Sequence, residues 1–198
     1  MKKIFILLLF CKSTLTEGQN IDASIFGIHR TWNNTTTVLS WTTLTKGNFS
    51  LQARTNFDAH NTVALIPGKI LKIKKIIFVP ECGILIGDYK SISPEFYSII
   101  PLKKVGIYLF GQYSIGMSKE NQNFLYTYGQ ILYLIHGIKI GIGAQFFKNT
   151  SVGNITFMDI GPQIKIPFLK NYYVKPWPTI DPINKWRIKL IAGIGISF

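Results

Sequence analysis

Charged residues are scarce in this chain, and acidic residues are the scarcest class among them. Asp, Glu, Lys and Arg make up 16% of the 198 residues, with 9 acidic against 22 basic groups. A soluble domain usually has a charged share of about 25%. Hydrophobic residues reach 47%, which excludes a disordered chain, because disorder requires low hydrophobicity and high charge. The composition therefore argues against both a disordered chain and an ordinary soluble domain.

A hydrophobic run long enough to form a transmembrane helix is also missing. The apolar run at residues 4–10 follows Lys2 and Lys3, whereas a membrane-spanning helix requires about 20 apolar residues. A positive start, a short apolar run and a polar stretch predict a secretory signal peptide over residues 1–19. Cys11 offers an alternative as a lipoprotein acceptor. A closed β-barrel is the remaining way to cross a bilayer, because its strands satisfy every backbone polar group.

Cysteine is nearly absent, and the residues that build metal or nucleotide sites are not clustered. Removal of the signal peptide would leave Cys82 alone, so no intramolecular disulfide is expected and we interpret Cys82 as a buried thiol. No Cys and His residues have metal-ligand spacing, and no glycine-rich phosphate loop follows a strand and opens a helix. We therefore predict no cofactor and no metal.

The end of the chain has the clearest period of two, the period at which side chains alternate between the faces of a strand. One face carries Trp186, Ile188, Leu190, Ala192, Ile194, Ile196 and Phe198. The other face carries Arg187, Lys189, Ile191, Gly193, Gly195 and Ser197. The first face suits lipid and the second suits a polar interior.

Nine further segments alternate with varying clarity. They are residues 35–45, 48–57, 61–72, 76–87, 92–99, 105–117, 124–135, 138–148 and 155–168. Single-chain bacterial barrels have an even number of strands. The sequence therefore predicts an all-β, transmembrane, antiparallel up-and-down β-barrel over residues 35–198, with eight or ten strands and ten favoured. Residues 20–34 are predicted to be an N-terminal lead, and residues 169–185 the longest loop.

Aromatic residues near the segment ends are interpreted as a girdle at the membrane interfaces. They include Trp41, Phe57, Tyr126, Tyr128, Tyr172, Tyr173, Trp177 and Trp186. The strands of a soluble β-sandwich would also alternate. Such strands usually have about five or six residues, however, which is shorter than the alternating segments of this chain. We therefore expect a location in the cell outer membrane.

The C-terminal strand ending in Phe198 resembles the final strand of bacterial outer-membrane β-barrels. The resemblance covers residues 186–198 and, loosely, the strand pattern of 35–168. It implies that Trp186, Ile196 and Phe198 form an insertion signal read by the barrel insertion machinery. The Ile- and Lys-rich composition, with segments 48–57 and 61–69, resembles small Bacteroidota barrels of unassigned activity. It implies no activity and no catalytic residue.

The polar faces of the strands define the candidate functional residues. The alternation places these side chains in the lumen: Gln52, Arg54, Glu81, Gln112, Gln145, Asp159, Gln163, Lys165, Arg187 and Lys189. We expect Arg54, Arg187 and Lys189 to pair with Glu81 and Asp159, since an isolated charge in a narrow interior is costly. Side chains fill barrels of about eight strands, so we expect a mostly filled lumen. A narrow pore or a small-ligand cavity is the alternative.

Two segments are candidates for contacts with partners. Lysines 69, 72, 74 and 75 are predicted to contact outer-membrane lipids, including the phosphates of lipopolysaccharide; a solvated turn is the alternative. The aromatic, proline-rich segment 169–185 suggests contact with another envelope protein or a glycan, or else an interfacial anchor. Nucleic acid is not expected, because no recognition motif occurs.

These observations give an ordered set of functional hypotheses. The first is a small outer-membrane barrel with a structural or accessory role in an envelope complex. The second is a narrow channel or porin for small solutes, and the third is a lipid-modifying enzyme of the outer membrane. An enzyme is disfavoured, because His29, His60 and His136 lack a nearby serine and carboxylate at an evident spacing. We therefore predict no catalytic residues.

Overall fold

The computed structural model describes residues 19–31, 34–57, 61–118 and 120–197. Residues 1–18 of the predicted signal peptide lie outside these ranges. His60 and Phe198, the last residue of the predicted insertion signal, also lie outside them. Within the described ranges, no helix has the length and apolarity needed to cross a membrane.

The described chain folds into thirteen β-strands. They are β1 (Gln19–Arg30), β2 (Thr35–Lys46), β3 (Phe49–Thr55), β4 (Thr62–Lys69), β5 (Leu71–Ile73), β6 (Ile76–Gly87), β7 (Ser91–Leu102), β8 (Val105–Gly116), β9 (Phe124–Ile135), β10 (Ile138–Asn149), β11 (Ile155–Leu169), β12 (Tyr172–Asp181) and β13 (Arg187–Ser197). Ile, Val, Thr and aromatic residues are common in these segments, and such residues favour a pleated surface.

The strands form a closed antiparallel barrel. Apart from β4 and β5, strands that are adjacent in the chain pair with one another; in addition, β1 pairs with β13 and β4 pairs with β6. The short β5 continues the edge of β4 beyond Ile70 and also pairs with β6. The ring therefore has twelve strands plus one extra. The predicted all-β antiparallel barrel agrees with this architecture, but the predicted number of eight or ten strands is wrong.

Two strands account for the difference from ten. Residues 20–30, predicted to be part of an N-terminal lead, belong to β1, which pairs with β2 and β13. Residues 172–181, predicted to be part of the longest loop, form β12, which pairs with β11 and β13. The N-terminal and C-terminal strands thus lie side by side and close the ring.

The two ends of the barrel have connections of different lengths. At one end, the turns after β2, β5, β7, β9 and β11 each contain two residues. At the other end, the six connections contain three to seven residues. Bacterial barrels have short turns on the periplasmic side and longer loops outside the cell. The two-residue turns therefore mark the periplasmic end.

The outer face of the barrel is apolar. Exposed side chains on it include Val63, Leu65, Ile84, Ile86, Ile92, Leu109, Ile115, Ile131, Ile140, Ile142, Ile188, Leu190 and Ile194. Cys82 is exposed and shares the face of Ile84 and Ile86, so its interpretation as a buried thiol is wrong. In water such a surface would drive aggregation, whereas in a bilayer it contacts acyl chains.

Candidate functional site

Arg54 and Glu95 form the centre of a polar network on the inner face of β3 and β6–β8. The Nη1 and Nη2 groups of Arg54 donate to the two Glu95 carboxylate oxygens at 2.8 and 2.7 Å. Both side chains are completely buried. Ser93 Oγ donates to the same carboxylate at 2.8 Å. A two-point pair of this kind fixes the orientation of both groups, so it fills this part of the lumen rigidly.

Aromatic rings surround the Arg54 guanidinium on its other sides. Its Cζ atom lies 5.2 Å from the ring centroid of Trp41, 5.0 Å from that of Phe57 and 5.7 Å from that of Phe110. Cations are attracted to the faces of aromatic rings within about 6 Å. The rings therefore stabilise a charge that has little access to water.

Glu81 extends the same network toward the periplasmic end. It lies opposite Glu95 in the β6–β7 register. Ser50 Oγ donates to its carboxylate at 3.1 Å, and Gln52 Nε2 donates to the other carboxylate oxygen. Neutral donors thus serve this carboxylate, while Arg54 serves the neighbouring one.

A second network lies on the inner face of β10–β13. Lys189 Nζ donates to the two oxygens of Asp159 at 2.6 and 2.8 Å and lies 3.7 Å from Asp181 Oδ2. Gln145 Nε2 donates to Asp159 at 2.7 Å. Tyr126 donates in turn to Gln145 Oε1 at 2.7 Å. The chain of contacts links five strands, β9 to β13, across the wall.

The structure places the sequence-predicted lumen residues at different depths. Those that are buried are Gln52, Arg54, Glu81, Gln112, Asp159, Gln163 and Lys189. Gln145 and Lys165 are half-buried, and Arg187 is exposed near the loop end. The expected Lys189–Asp159 pair is found. Arg54 instead makes its two-point pair with Glu95, a residue that is absent from the predicted lumen set.

Three lysines lie side by side on the inner wall near the periplasmic end. Lys139 and Lys165 are direct cross-strand partners on β10 and β11. The pairing of Ile166 with Val174 places Lys165 beside Lys175 on β12. Like charges directly opposite one another are destabilising. Among the described residues, none of the three has a carboxylate within ion-pair distance.

Tyrosines hold two of these lysines. Lys175 Nζ donates to the Tyr128 hydroxyl at 3.1 Å. Lys165 Nζ lies 3.5 Å from the ring centroid of Tyr173. The Tyr173 hydroxyl donates to Asp22 at 3.1 Å, which brings one acidic group to the edge of the row. These contacts direct the two ammonium groups into the lumen.

The lumen retains an open cavity of about 390 Å³ beside these groups. Its lining includes Phe26, Trp41, Phe57, Tyr97, Tyr108, Tyr126, Tyr128, Tyr173 and Trp177, with Asp22, Lys165, Lys175 and several glutamines. Of the residues interpreted as an interfacial girdle, only Tyr172 and Trp186 are largely exposed. The girdle interpretation is therefore wrong for the rings that line the cavity.

Glycines on β13 make room for two of the rings. A Cβ atom on Gly193 would overlap the ring of Phe26, and one on Gly195 would overlap the ring of Tyr173. Both rings lie across the backbone of the neighbouring strand. The inward glycines of β13 thus accommodate aromatic side chains rather than leaving empty space.

The structure gives no geometry for hydrolysis or metal binding in the part it describes. His29 Nδ1 lies 3.1 Å from the Thr36 hydroxyl at the loop end, and His136 is exposed in a two-residue turn. The described ranges contain no group of three His, Cys, Asp or Glu residues arranged to hold a metal ion. The absence of an enzymatic activity stays a prediction.

Comparison with known proteins reveals similarity in fold only. No protein-family model matches the chain, and no curated protein sequence matches it. The solved KdgM porin superposes with a TM-score of 0.66 at 12% identity, covering 89% of this chain and 99% of that one. KdgM in complex with disordered oligogalacturonate gives 0.64 at 13% identity, covering 90% and 99%. The NanC porin gives 0.63 at 10% identity, covering 89% and 98%.

The chain therefore has the fold of bacterial outer-membrane porins. This fold and the apolar outer face confirm the predicted location in the outer membrane. The resemblance to Bacteroidota barrels gains no support from the comparisons and stays a prediction. The accessory role predicted first is not supported, whereas the channel alternative agrees with the porin fold.

Proposed function

We propose that this chain forms a narrow channel for small polar solutes, with anions favoured over cations. The observation that carries the proposal is the open cavity of about 390 Å³ inside a barrel with the fold of porins. A ring of twelve strands is wider than the eight-stranded barrels that side chains fill. Side chains occupy part of this interior without closing the cavity.

The charges on the wall support the preference for anions. The row of Lys139, Lys165 and Lys175 lies on one face of three neighbouring strands, and Asp22 is the acidic group beside it. A lumen lined by one sign of charge raises the local concentration of the opposite ion. The KdgM porin was solved in complex with oligogalacturonate, a chain of carboxylated sugars, and the lysines and rings here suit solutes of that chemistry.

Conductance across a planar bilayer tests the proposal directly. We expect discrete single-channel currents and, in a KCl gradient, a reversal potential that indicates chloride preference. Lys165→Gln/Lys175→Gln should retain the currents but reduce the chloride preference several-fold. Lys148→Gln/Lys185→Gln, at the loop end, is the matched control and should leave the selectivity unchanged. A folded barrel that passes no current would contradict the channel, whereas cation preference would contradict only the assigned role of the lysines.

A further inference from the structure

Seven exposed lysines crowd three consecutive turns at the periplasmic end, and we call them the lysine rim. They are Lys46, Lys69, Lys72, Lys74, Lys75, Lys103 and Lys104. Residues 45–50, 68–78 and 100–106, which carry the rim, contain no Asp or Glu. None of the seven forms an ion pair with a carboxylate of the described chain. The rim is therefore a concentrated positive surface.

The opposite end of the barrel has no comparable surface in its described loops. Asp88 lies beside Lys90 in the β6–β7 loop, and Glu120 lies in the β8–β9 loop. Lys148 and Lys185 lie far apart in the chain at the same end. Mixed signs in the described loops at one end and lysines alone in the three turns of the rim at the other give the molecule a charge asymmetry along its axis.

Exposed apolar side chains lie directly beside the rim on the outer face. Phe49, which is 51% exposed, is the cross-strand partner of both Lys46 and Lys69. Side chains directly opposite one another share a face, so the two lysines flank this ring on neighbouring strands. Leu102 and Ile73 are also exposed next to rim lysines. This boundary between an apolar belt and ammonium groups matches the depth of lipid headgroups, to which long lysines extend.

Two of the rim lysines occupy turn positions with a left-handed backbone conformation. Lys74 and Lys103 adopt positive φ angles of 57° and 49°, and Gly47 takes the same conformation at 59° in the neighbouring turn. Glycine and asparagine are preferred in such two-residue hairpins, because residues with a Cβ atom are disfavoured at positive φ. Two rim lysines thus occupy positions where glycine or asparagine would fit the turn better.

We propose that the lysine rim binds the phosphate headgroups of anionic phospholipids in the periplasmic leaflet of the outer membrane. Clusters of lysines next to a membrane-spanning segment are attracted to anionic lipid, and the attraction falls off within a Debye length. Lipopolysaccharide occupies the outer leaflet, at the loop end of the barrel. The location of the rim thus favours phospholipid over the lipopolysaccharide expected from the sequence.

Lipid selectivity around the reconstituted full-length barrel tests the proposal. The measurement is electron paramagnetic resonance of spin-labelled phosphatidylglycerol and spin-labelled phosphatidylcholine in phosphatidylcholine vesicles. We expect the wild-type barrel to favour phosphatidylglycerol about three-fold or more, and the preference to weaken in high salt. A variant with Lys74 and Lys103 changed to Asn and the other five changed to Gln should show a ratio near one.

Two further variants keep the result decisive. Lys46→Gln/Lys69→Gln leaves every turn residue unchanged and should lower the preference partially, even if the seven-residue variant does not fold. Lys90→Gln/Lys148→Gln/Lys185→Gln removes lysines at the loop end and should leave the preference intact. An unchanged preference in the folded rim variants would overturn the proposal. So would a parallel titration in which the rim substitutions weaken binding of lipopolysaccharide but not of phosphatidylglycerol.

Discussion

Buried ion pairs in the lumen make single substitutions more damaging than paired ones. Arg54→Met would leave the Glu95 carboxylate buried without its two-point partner. We expect this change, and likewise Glu95→Leu, to lower the free energy of unfolding by about 3–5 kcal/mol. The double variant should cost much less than the sum, because the surrounding Trp41, Phe57 and Phe110 rings favour apolar side chains. Urea unfolding in lipid vesicles, followed by tryptophan fluorescence, measures all three.

The Lys189–Asp159 pair provides a comparison for these single and double variants of Arg54 and Glu95, since Gln145 also donates to Asp159. Removing either cation leaves one neutral donor on the carboxylate, Gln145 on Asp159 and Ser93 on Glu95, so the two substitutions should cost similar amounts. If the Arg54 and Glu95 costs proved additive, the two side chains would not be energetically coupled. That result would contradict the geometry of the first network.

Residue types were easier to predict from the sequence than residue partners. Asp159 and Lys189 lie on strands with clear alternation, so their common inward direction and opposite charge could be predicted together. Glu95 lies between Pro94 and Phe96 in the segment with the weakest pattern. Its inner face nevertheless follows a period of two through Ser91, Ser93 and Glu95. That face was the available signal, and Pro94 on the outer face obscured it.

At the scale of single elements, β12 is the strand whose sequence pattern is hardest to recognise. Its inner face carries Tyr173 and Trp177 and its outer face carries Pro176 and Pro178, so neither face is plainly apolar or plainly polar. The β11–β12 ladder pairs Ile160 with Ile180 and resumes at Ile166 with Val174. Prolines between these points cannot donate backbone hydrogen bonds. Near the prolines, the Trp177 indole N–H donates to the Gly161 carbonyl at 3.2 Å.

Cysteine labelling distinguishes a strand at 172–181 from a loop. In a Cys82→Ser background, Lys175→Cys should react with a water-soluble thiol reagent through the lumen, because Lys175 lines the cavity. Val174→Cys and Ile180→Cys should react at least ten-fold more slowly in lipid vesicles, since both point toward acyl chains. Similar rates at all three positions would indicate a loop and contradict β12. Reaction in denaturant, where all three are accessible, is the control.

Strand β1 was not predicted either, for a related reason. Its inner face begins with Asp22 and Ser24 and continues with Phe26 and Ile28, which line the cavity. Apolar residues on both faces remove the contrast on which alternation depends. Segments with glycine or charge on the inner face, such as β10 and β13, keep that contrast. The side chains on the inner face thus determine whether a strand can be predicted from the alternation of its sequence.

At the scale of the whole molecule, the number of strands sets the functional interpretation. The expectation of a filled lumen rested on the narrow interior of a small barrel. Two additional strands widen the ring, and the networks around Glu95 and Asp159 then occupy only part of it. The same error in strand number therefore led to the accessory role being preferred over the channel. Local patterns could not correct it, because closure depends on the pairing of the first and last strands.

Deleting residues 20–30 tests this closure. The deletion removes β1 from between β2 and β13. Since β1 is antiparallel to both, β2 and β13 run parallel to each other and cannot reclose as antiparallel neighbours, so their unpaired backbone groups would face lipid at a prohibitive cost. We expect the deletion to abolish the compact form that migrates differently in unheated and boiled samples on SDS gels, whereas deletion of residues 151–152 in the β10–β11 loop should preserve it. A folded barrel without residues 20–30 would support the prediction that these residues are an N-terminal lead, and it would contradict the twelve-stranded ring.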